Sequence, residues 1–341
     1  MKTYKYAAYI GRFQPVHNGH LHNIRKGLNI AETLIVILGS ANQPSTIKNP
    51  WSVSEREIMI RSCLSYDENS RIVFKSVVDY KYNFQDWIKD VQTTVNSITN
   101  DEKVALIGHK KDDSSYYINH FPQWDFIETS SFLDEKGQTV DATAIREQYF
   151  KRMSLPDTIP DRIVSFLKGY ELTSNFTNLV SEYQFIKDYK EQWSATPYPV
   201  IFTTVDAVVI QSGHILLIRR ESAPGKGLWA LPGGFVGQSE TLVDSCIREL
   251  REETQIKVPE KILRASIFAN KVFDDPSRSE RGRTITYAFG ILLEGGHSLP
   301  RIRGSDDADK AQWFTFEEVD KMRHQMYEDH YDIAHYFIHL S

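Results

Sequence analysis

Two short runs hold the side chains best suited to chemistry. The first, "GRFQPVHNGHL" (residues 11–21), sets His17 and His20 three apart behind Gly11, Arg12 and Pro15. These types suit phosphate: Arg12 supplies a fixed charge, both imidazoles donate to phosphate oxygens, and Gly11 lets backbone come close. A helix starting behind the pair adds free N–H groups and the positive end of its dipole. Two ordinary surface histidines are the plain alternative, and the full run after an apolar strand speaks against it.

The second run, "GGFVGQSETLVDSCIRELREETQI" (residues 233–256), carries Glu249, Glu252 and Glu253. At i, i+3 and i+4 the three carboxylates share one helix face, where like charges repel by roughly 0.2–0.5 kcal/mol per exposed pair. Hard oxygen ligands so clustered suit Mg²⁺ or Mn²⁺, which bridge a pyrophosphate, and Arg248 beside them can orient the acids. Taken alone, the glutamates read equally as a solvated acidic face.

Both runs need elements to hold them. "YAAYIG" reads as a buried strand, and His20 to Ala31 as a helix with Leu21, Ile24 and Leu28 on one face. "TLIVILGS" reads as a second strand, and "SVSEREIMIRSCL" as a helix capped by Ser54. The strand "RIVFKSVVD", a helix over "FQDWIKDVQTTVNSI" and the strand "KVALIGH" continue the alternation. Strands alternating with helices predict a parallel, doubly wound sheet that binds ligands at the carboxyl ends of its strands. Prolines in "LPDTIPDRIVSFL" and "SATPYPV" bracket a polar helix and mark a boundary. From Phe202 the texture is β-rich, with a hairpin turning at Ser212-Gly213, the strand "ERGRTITYAFGILLE", and one long helix from about Ser239 to Glu253. The expected division is a first domain at 1–170, a helical linker at 171–198 and a second domain at 199–341.

Bulk properties agree with two domains, since 341 residues exceed one ordinary core. A 41% hydrophobic and 25% charged composition is that of a soluble globular chain. The formal net charge of -5 offers no bulk attraction to nucleic acid or anionic membranes, so neither is an expected partner. Only Cys63 and Cys246 occur, which excludes a disulfide framework or thiolate metal site. "MKTYKYAAYIGRF" lacks the apolar core of a signal peptide, and no stretch reaches the ~20 apolar residues of a membrane span. A cytoplasmic location is expected, and a homo-oligomer is compatible with the sequence.

"GRFQPVHNGHL" resembles the signature of the nucleotidyltransferase superfamily with an HxGH motif. "ILGSANQPSTIKNPWSVSEREIMI" is similar to the archaeal-type nicotinamide mononucleotide (NMN) adenylyltransferases. The resemblance implies a Rossmann-like domain and the reaction NMN + ATP → NAD + pyrophosphate, assisted by Mg²⁺. It places His17 and His20 on the triphosphate, Arg12 on phosphate, and Gly11 and Phe13 in the binding loop. A second family motif, I-S-x-T-x-I-R, reads "VDATAIREQYF" here, matching at Thr143, Ile145 and Arg146. Asp141 and Ala142 stand where the serine is usual, and Arg146 becomes the implied clamp on the β/γ-phosphates. Trp87 falls where the family stacks an aromatic on nicotinamide, with a core tryptophan as the alternative. Asp79 is a candidate for the carboxamide. Lys110 and Lys111 can reach phosphate or simply face solvent.

From Gly234, the pattern G-x5-E-x7-R-E-U-x-E-E-x-G-U is met at Glu240, Arg248, Glu249, Leu250, Glu252, Glu253 and Ile256. It is similar to the box of the Nudix hydrolases. The resemblance implies an α+β domain in which Glu249, Glu252 and Glu253 ligate Mg²⁺ (or Mn²⁺), with a backbone role for Gly233. Gln255 stands where the family has a glycine that ends the helix in a left-handed turn, at a cost near ~1 kcal/mol. Glu280, Asp306 and Asp307 are candidates for the general base. "GLWALPGGFV" and "DDPSRSERGRTITYAF" look like the ADP-ribose-preferring branch, with Trp229 stacking or packing near the ligand and Arg281 and Arg283 on the phosphate or ribose side.

Together the resemblances cover 1 to about 170 and about 200 to 341, the order of bifunctional NMN adenylyltransferase/Nudix hydrolases. The expected fold is α/β, an N-terminal doubly wound parallel-sheet nucleotidyltransferase domain followed by a C-terminal α+β Nudix domain. One half would make NAD, and the other would cleave ADP-ribose to AMP and ribose 5-phosphate. The alternatives are another phosphate acceptor for the first half and a non-catalytic ligand sensor for the second.

Overall fold

The computed structural model describes residues 2–341 except 110–112, 131, 134–136, 138 and 297, so Lys110 and Lys111 lie outside the described residues. The chain forms two compact units, Met1–Ser181 and Glu182–Ser341.

In the first unit, β1 (Tyr4–Gly11), β2 (Ala31–Leu38), β3 (Ile72–Ser76), β4 (Val104–Gly108) and β5 (Asp125–Glu128) form a sheet in the order β3-β2-β1-β4-β5. Every neighbouring pair is parallel, as the alternation predicts. Its helices are α1 (Asn18–Ile30), α2 (Val53–Ser62), α3 (Tyr66–Ser70), α4 (Phe84–Thr99), α5 (Ala142–Phe150) and α6 (Asp161–Tyr170). Strands covered on both faces need unbroken apolar runs, and Leu34 to Leu38 of β2 are all fully buried. Ile88, Val91 and Val95 of α4 recur at helical spacing and pack with Ile35, Ile37 and Leu106. The strand order reverses between β1 and β4, which is where such a sheet opens a crevice. The cap of α2 is Ser52 rather than Ser54: Ser52 accepts from Glu55 N–H, and Glu55 returns the bond, the reciprocal pattern that Ser-x-x-Glu permits.

Helix α7 (Ser174–Gln192) contains the division between the units and buries Phe176, Leu179 and Ile186. In the second unit, β6 (Phe202–Gln211), β7 (His214–Arg220), β8 (Trp229–Ala230), β9 (Gly233–Phe235), β10 (Ile267–Phe273), β11 (Thr284–Leu292) and β12 (Ala308–Thr315) form a mixed sheet. The order is β10-β11-β6-β7-β12, with β8 on β7 and β9 on β6. The β6–β7 hairpin turns at Ser212 and Gly213, both left-handed, which matches the strand twist. Helix α8 (Leu242–Thr254) starts three residues later than the pattern suggests, because Thr241 caps it by accepting from Asp244 N–H. Its buried face, Cys246, Ile247 and Leu250, packs on Val205, Ala207, Val209 and Leu216. Helices α9 (Glu260–Ala265), α10 (Phe316–Asp320) and α11 (His330–Ile338) complete the unit.

Candidate active sites

The first crevice holds about 300 Å³ and lies at the reversal point, lined by Tyr9 and Ile10 of β1 and by Gly108 and His109 after β4. Arg12, His17, Gly19 and His20 line it on the loop side, and Asp141, Ala142 and Thr143 at the start of α5. His17 is the N-cap of α1, so the helix begins at Asn18, two residues before the sequence suggests, and His20 rides in its first turn. The two rings lie 3.7 Å apart between centroids, and Phe13 packs 4.8 Å from His20. His17 N–H donates to His20 Nδ1 at 3.3 Å, which assigns the His20 proton to Nε2. Burial, reinforced by His17, holds the His20 pKa well below 6.5, so the ring is a neutral single donor. Gly19 suits this position, since a Cβ there would crowd the His17 ring at 3.1 Å.

The loop carrying these groups is braced from behind. Phe13 is buried and left-handed, and Gln14 exchanges two bonds with the Trp51 backbone, at 2.8 and 3.1 Å. Arg146, buried, spends one nitrogen on Gln14 O at 2.7 Å and another on Thr143 Oγ1 at 3.2 Å. It stands behind Thr143, outside the residues that line the crevice. Asp141, in the place of the usual serine, caps α5 by accepting from Thr143 N–H at 2.9 Å. Trp87 is half-buried in a cluster with Phe84, Tyr117 and Phe121, also outside that lining. Asp79 sits where its charge opposes the pKa depression of Arg56, a residue that sequence reasoning passed over. The signal was present: Arg56 shares the helical face of Met59 and Ile60, both buried.

In the second unit, Arg248 gathers the acids of α8. It donates to Glu249 at 2.9 Å, Glu252 at 2.8 Å and Glu240 at 2.7 Å. That pairing, with a bond from Ser245, drops the Glu240 pKa to about 2. Glu253 turns inward, accepts from Gly233 N–H at 2.9 Å, and is raised to about 8 by burial against that bond. Burial raises Glu249 too, against the pull of Arg248. Two glycines permit this approach: a Cβ on Gly234 would fall 2.6 Å from the Glu249 carboxyl, and one on Gly233 2.1 Å from Val205 O. Gln255 ends α8 at φ 46°, the left-handed turn that its position demands, and donates to Arg251 O at 2.9 Å.

Among the described residues no three of His, Cys, Asp and Glu converge as a ready metal centre. The donor set nonetheless fits a divalent cation, because the buried Glu253 carboxyl, raised to about 8, needs added positive charge to ionise fully at neutral pH, and burial shifts the neighbouring Glu249 in the same direction. Of the candidate bases, Asp306 lies within electrostatic reach of Glu249, whereas Glu280 lies near Glu182, and Asp307 is exposed with its carbonyl on Glu221 N–H. Trp229 packs edge-on to Phe314 at 4.7 Å. Arg281 stands 5.3 Å over the Phe235 ring, and Arg283 is tied to Asp274. Sequence reasoning also missed Asp206, buried beside Gly233 and accepting from Thr286 Oγ1 at 2.5 Å, and His330, whose Nδ1 accepts from Leu231 N–H at 3.0 Å. Neither lies in a recognisable spacing; the pairing of distant strands and α11 creates both contacts.

Residues 8–147 match the cytidylyltransferase-like family model, and residues 201–337 match the NUDIX domain model. Fold and sites together define a nucleotidyltransferase joined in one chain to a NUDIX domain. A crystal structure of a bifunctional NMN adenylyltransferase/ADP ribose pyrophosphatase from Francisella tularensis matches with TM-score 0.92 and 35% identity, covering 98% of this chain and 99% of that one. A structure from the same organism complexed with AMP and Mn ion matches with TM-score 0.90 and 34% identity, covering 99% of both chains. The nicotinamide/nicotinic acid mononucleotide adenylyltransferase of Acinetobacter baylyi is 36% identical over 54% of this chain and 96% of its own length. The ADP-ribose pyrophosphatase of Methanocaldococcus jannaschii is 35% identical over 35% of this chain and 64% of its own. This chain belongs to the family of bifunctional NMN adenylyltransferase/ADP-ribose pyrophosphatases.

Proposed function

We infer that the chain is an enzyme with two activities, adenylyl transfer from ATP to NMN in the first unit and hydrolysis of ADP-ribose to AMP and ribose 5-phosphate in the second. The observation that carries the first is the convergence of Arg12, His17, His20 and the start of α5 on one crevice at the sheet's reversal point. In the forward step a phosphate oxygen of NMN attacks the α-phosphorus of ATP, the bond to the β-phosphate oxygen breaks, and pyrophosphate leaves. Little covalent chemistry falls to the protein, which positions the groups and neutralises charge. Arg12 holds phosphate as a fixed cation. The neutral His20 offers Nε2–H to an oxygen of the transferring group without a competing charge change. His17 and the first turn of α1 complete the grip on the triphosphate, and Arg146 sets Thr143 and the Gln14 carbonyl in place.

In the second unit, Glu249, Glu252 and Glu253 would hold Mg²⁺, with Mn²⁺ able to substitute. Such ions polarise the diphosphate and lower the pKa of a bound water. The chain's own part is to present the acids: Arg248 orients Glu249 and Glu252, and Gly233 N–H fixes Glu253. Asp306 is the favoured base of the three candidates. Among the described residues no helix is long and apolar enough to cross a membrane, and we place the enzyme in the cytoplasm. The test is incubation with Mg²⁺ and ATP plus NMN or its nicotinate analogue, and separately with ADP-ribose and other dinucleotides, with products identified by mass. NAD and AMP plus ribose 5-phosphate are expected; absence of either product removes that activity.

A further inference from the structure

We propose that Arg56 is a positioning residue for adenylyl transfer, one that fixes the phosphate-binding loop by tying its backbone to the chain after β2. The inference rests on the adenylyl-transfer reading of the first crevice. Arg56 is 1% exposed, one turn into α2. Its Nη1 donates to Arg12 O and to Gly39 O, both at 2.7 Å, its Nη2 to Ser40 O at 3.4 Å, and its Nε to Ser52 O at 3.2 Å. One planar group thus joins three segments: the loop after β1, the loop after β2 and the cap of α2. Gly39 N–H donates back to Gly11 O at 2.9 Å, which laces the two strand ends from the other side.

A guanidinium buried among carbonyls is an uncommon arrangement, because a buried cation is usually paired with an anion. Asp79 contributes an attraction, yet burial dominates and brings the Arg56 pKa down to about 10, so the group stays charged at neutral pH. Its removal from water is compensated by geometry: the planar fork meets carbonyls in several directions at once. Arg12 is the residue that depends on this, since its carbonyl is held from below while its side chain extends, exposed, along the crevice. Lysine keeps the charge and the apolar stem but cannot reproduce the fork. In Arg56→Lys the loop loses its brace, and Arg12 and the imidazoles shift from their positions around the triphosphate.

The experiment compares wild type and Arg56→Lys by steady-state NAD synthesis, by equilibrium titration with ATP and by ADP-ribose hydrolysis. A displacement of about 1 Å in such a site costs on the order of 100-fold. The expected result is a fall of that order in kcat/KM for ATP, carried largely by KM and matched by weaker ATP binding, with ADP-ribose hydrolysis unchanged. Partial unfolding raises the titration midpoint only by the reciprocal of the folded fraction, so with that fraction measured by thermal unfolding a shift on the order of 100-fold cannot come from it. An Arg56→Ala protein should regain part of its ATP affinity with millimolar guanidinium and none with ammonium. Wild-type ATP binding in Arg56→Lys, or a loss confined to kcat, overturns the positioning role. A wild-type protein that makes no NAD overturns the functional reading along with it, which separates the two failures.

Discussion

The two sites handle a diphosphate linkage with opposite electrostatics. Around the first crevice, cations are built into the fold: Arg56 and Arg146 are buried, and their partners include carbonyls of the loops after β1 and β2 and the Thr143 hydroxyl in α5. Among the groups that reach the crevice are the neutral His20, the His17 ring beside it and the exposed Arg12 guanidinium. Around α8 the built-in groups are acidic, with Glu249 and Glu253 set against glycine backbone, both raised by burial and Glu253 as far as about 8. The first arrangement is complete before substrate arrives, because fixed N–H groups and cations meet an anion directly. In the second, Arg248 bonds two of the acids, Glu249 and Glu252. One site is preorganised by backbone bracing; the other gathers acids on one helix face around Arg248.

Several variants would break or sharpen that contrast. Replacing His20 with Ala should lower kcat for NAD synthesis by roughly 10²–10³, the loss of one donor in a preorganised site, and leave ADP-ribose hydrolysis intact. Both rates measured on one preparation check this. The double variant Glu252→Gln, Glu253→Gln should do the reverse, cutting ADP-ribose cleavage by at least ~100-fold while NAD synthesis persists. Survival of both activities would remove the metal assignment. Gly234→Ala should push aside the Glu249 carboxyl, the far end of a flexible side chain, so ADP-ribose hydrolysis should fall while the thermal unfolding temperature of the second unit shifts little; unchanged hydrolysis would contradict the close approach.

A pH experiment addresses the imidazoles. The His20 pKa is lower folded than unfolded, so between the two values the unfolded chain binds the extra proton. Its contribution to stability is therefore full above the unfolded value near 6.5 and declines as pH falls below it, by at most ~1.4 kcal/mol per pH unit. Urea unfolding of wild type and His20→Gln at roughly pH 5 and pH 7 should show a shallower dependence in the variant. The smallest effect is expected at the end of α8. Gln255→Gly should stabilise by about 1 kcal/mol or less, since φ is already left-handed, with hydrolysis little changed; a loss of stability would contradict the strain assigned to Gln255.

Much of this organisation was legible in advance because it is local. Parallel strands covered on both faces demand apolar runs, so β1, β2 and β4 announce themselves, and the run 11–21 follows a strand and starts a helix as its residues suggest. The spacing of Glu249, Glu252 and Glu253 is legible for the same reason, since a helix converts spacing into a shared face. Even the odd residue was readable, for Gln255 takes the turn that glycine usually takes. The cap of α2 was misplaced by two residues because Ser52 and Ser54 each have a glutamate three positions on, Glu55 and Glu57, and only the folded chain shows that Ser52 forms the reciprocal pair.

What a residue does once folded was less accessible. Arg146 matches a motif in the sequence, but its bond to Gln14 appears only when α5 packs on the loop 132 residues earlier in the chain. The sequence by itself determined which side chains are chemically able and on which elements they ride, because propensity, capping and periodicity act over a few residues. Tertiary structure alone decided which charges are buried, which face a crevice and which spend their hydrogen bonds as braces. Those outcomes depend on desolvation and on partners supplied by distant segments.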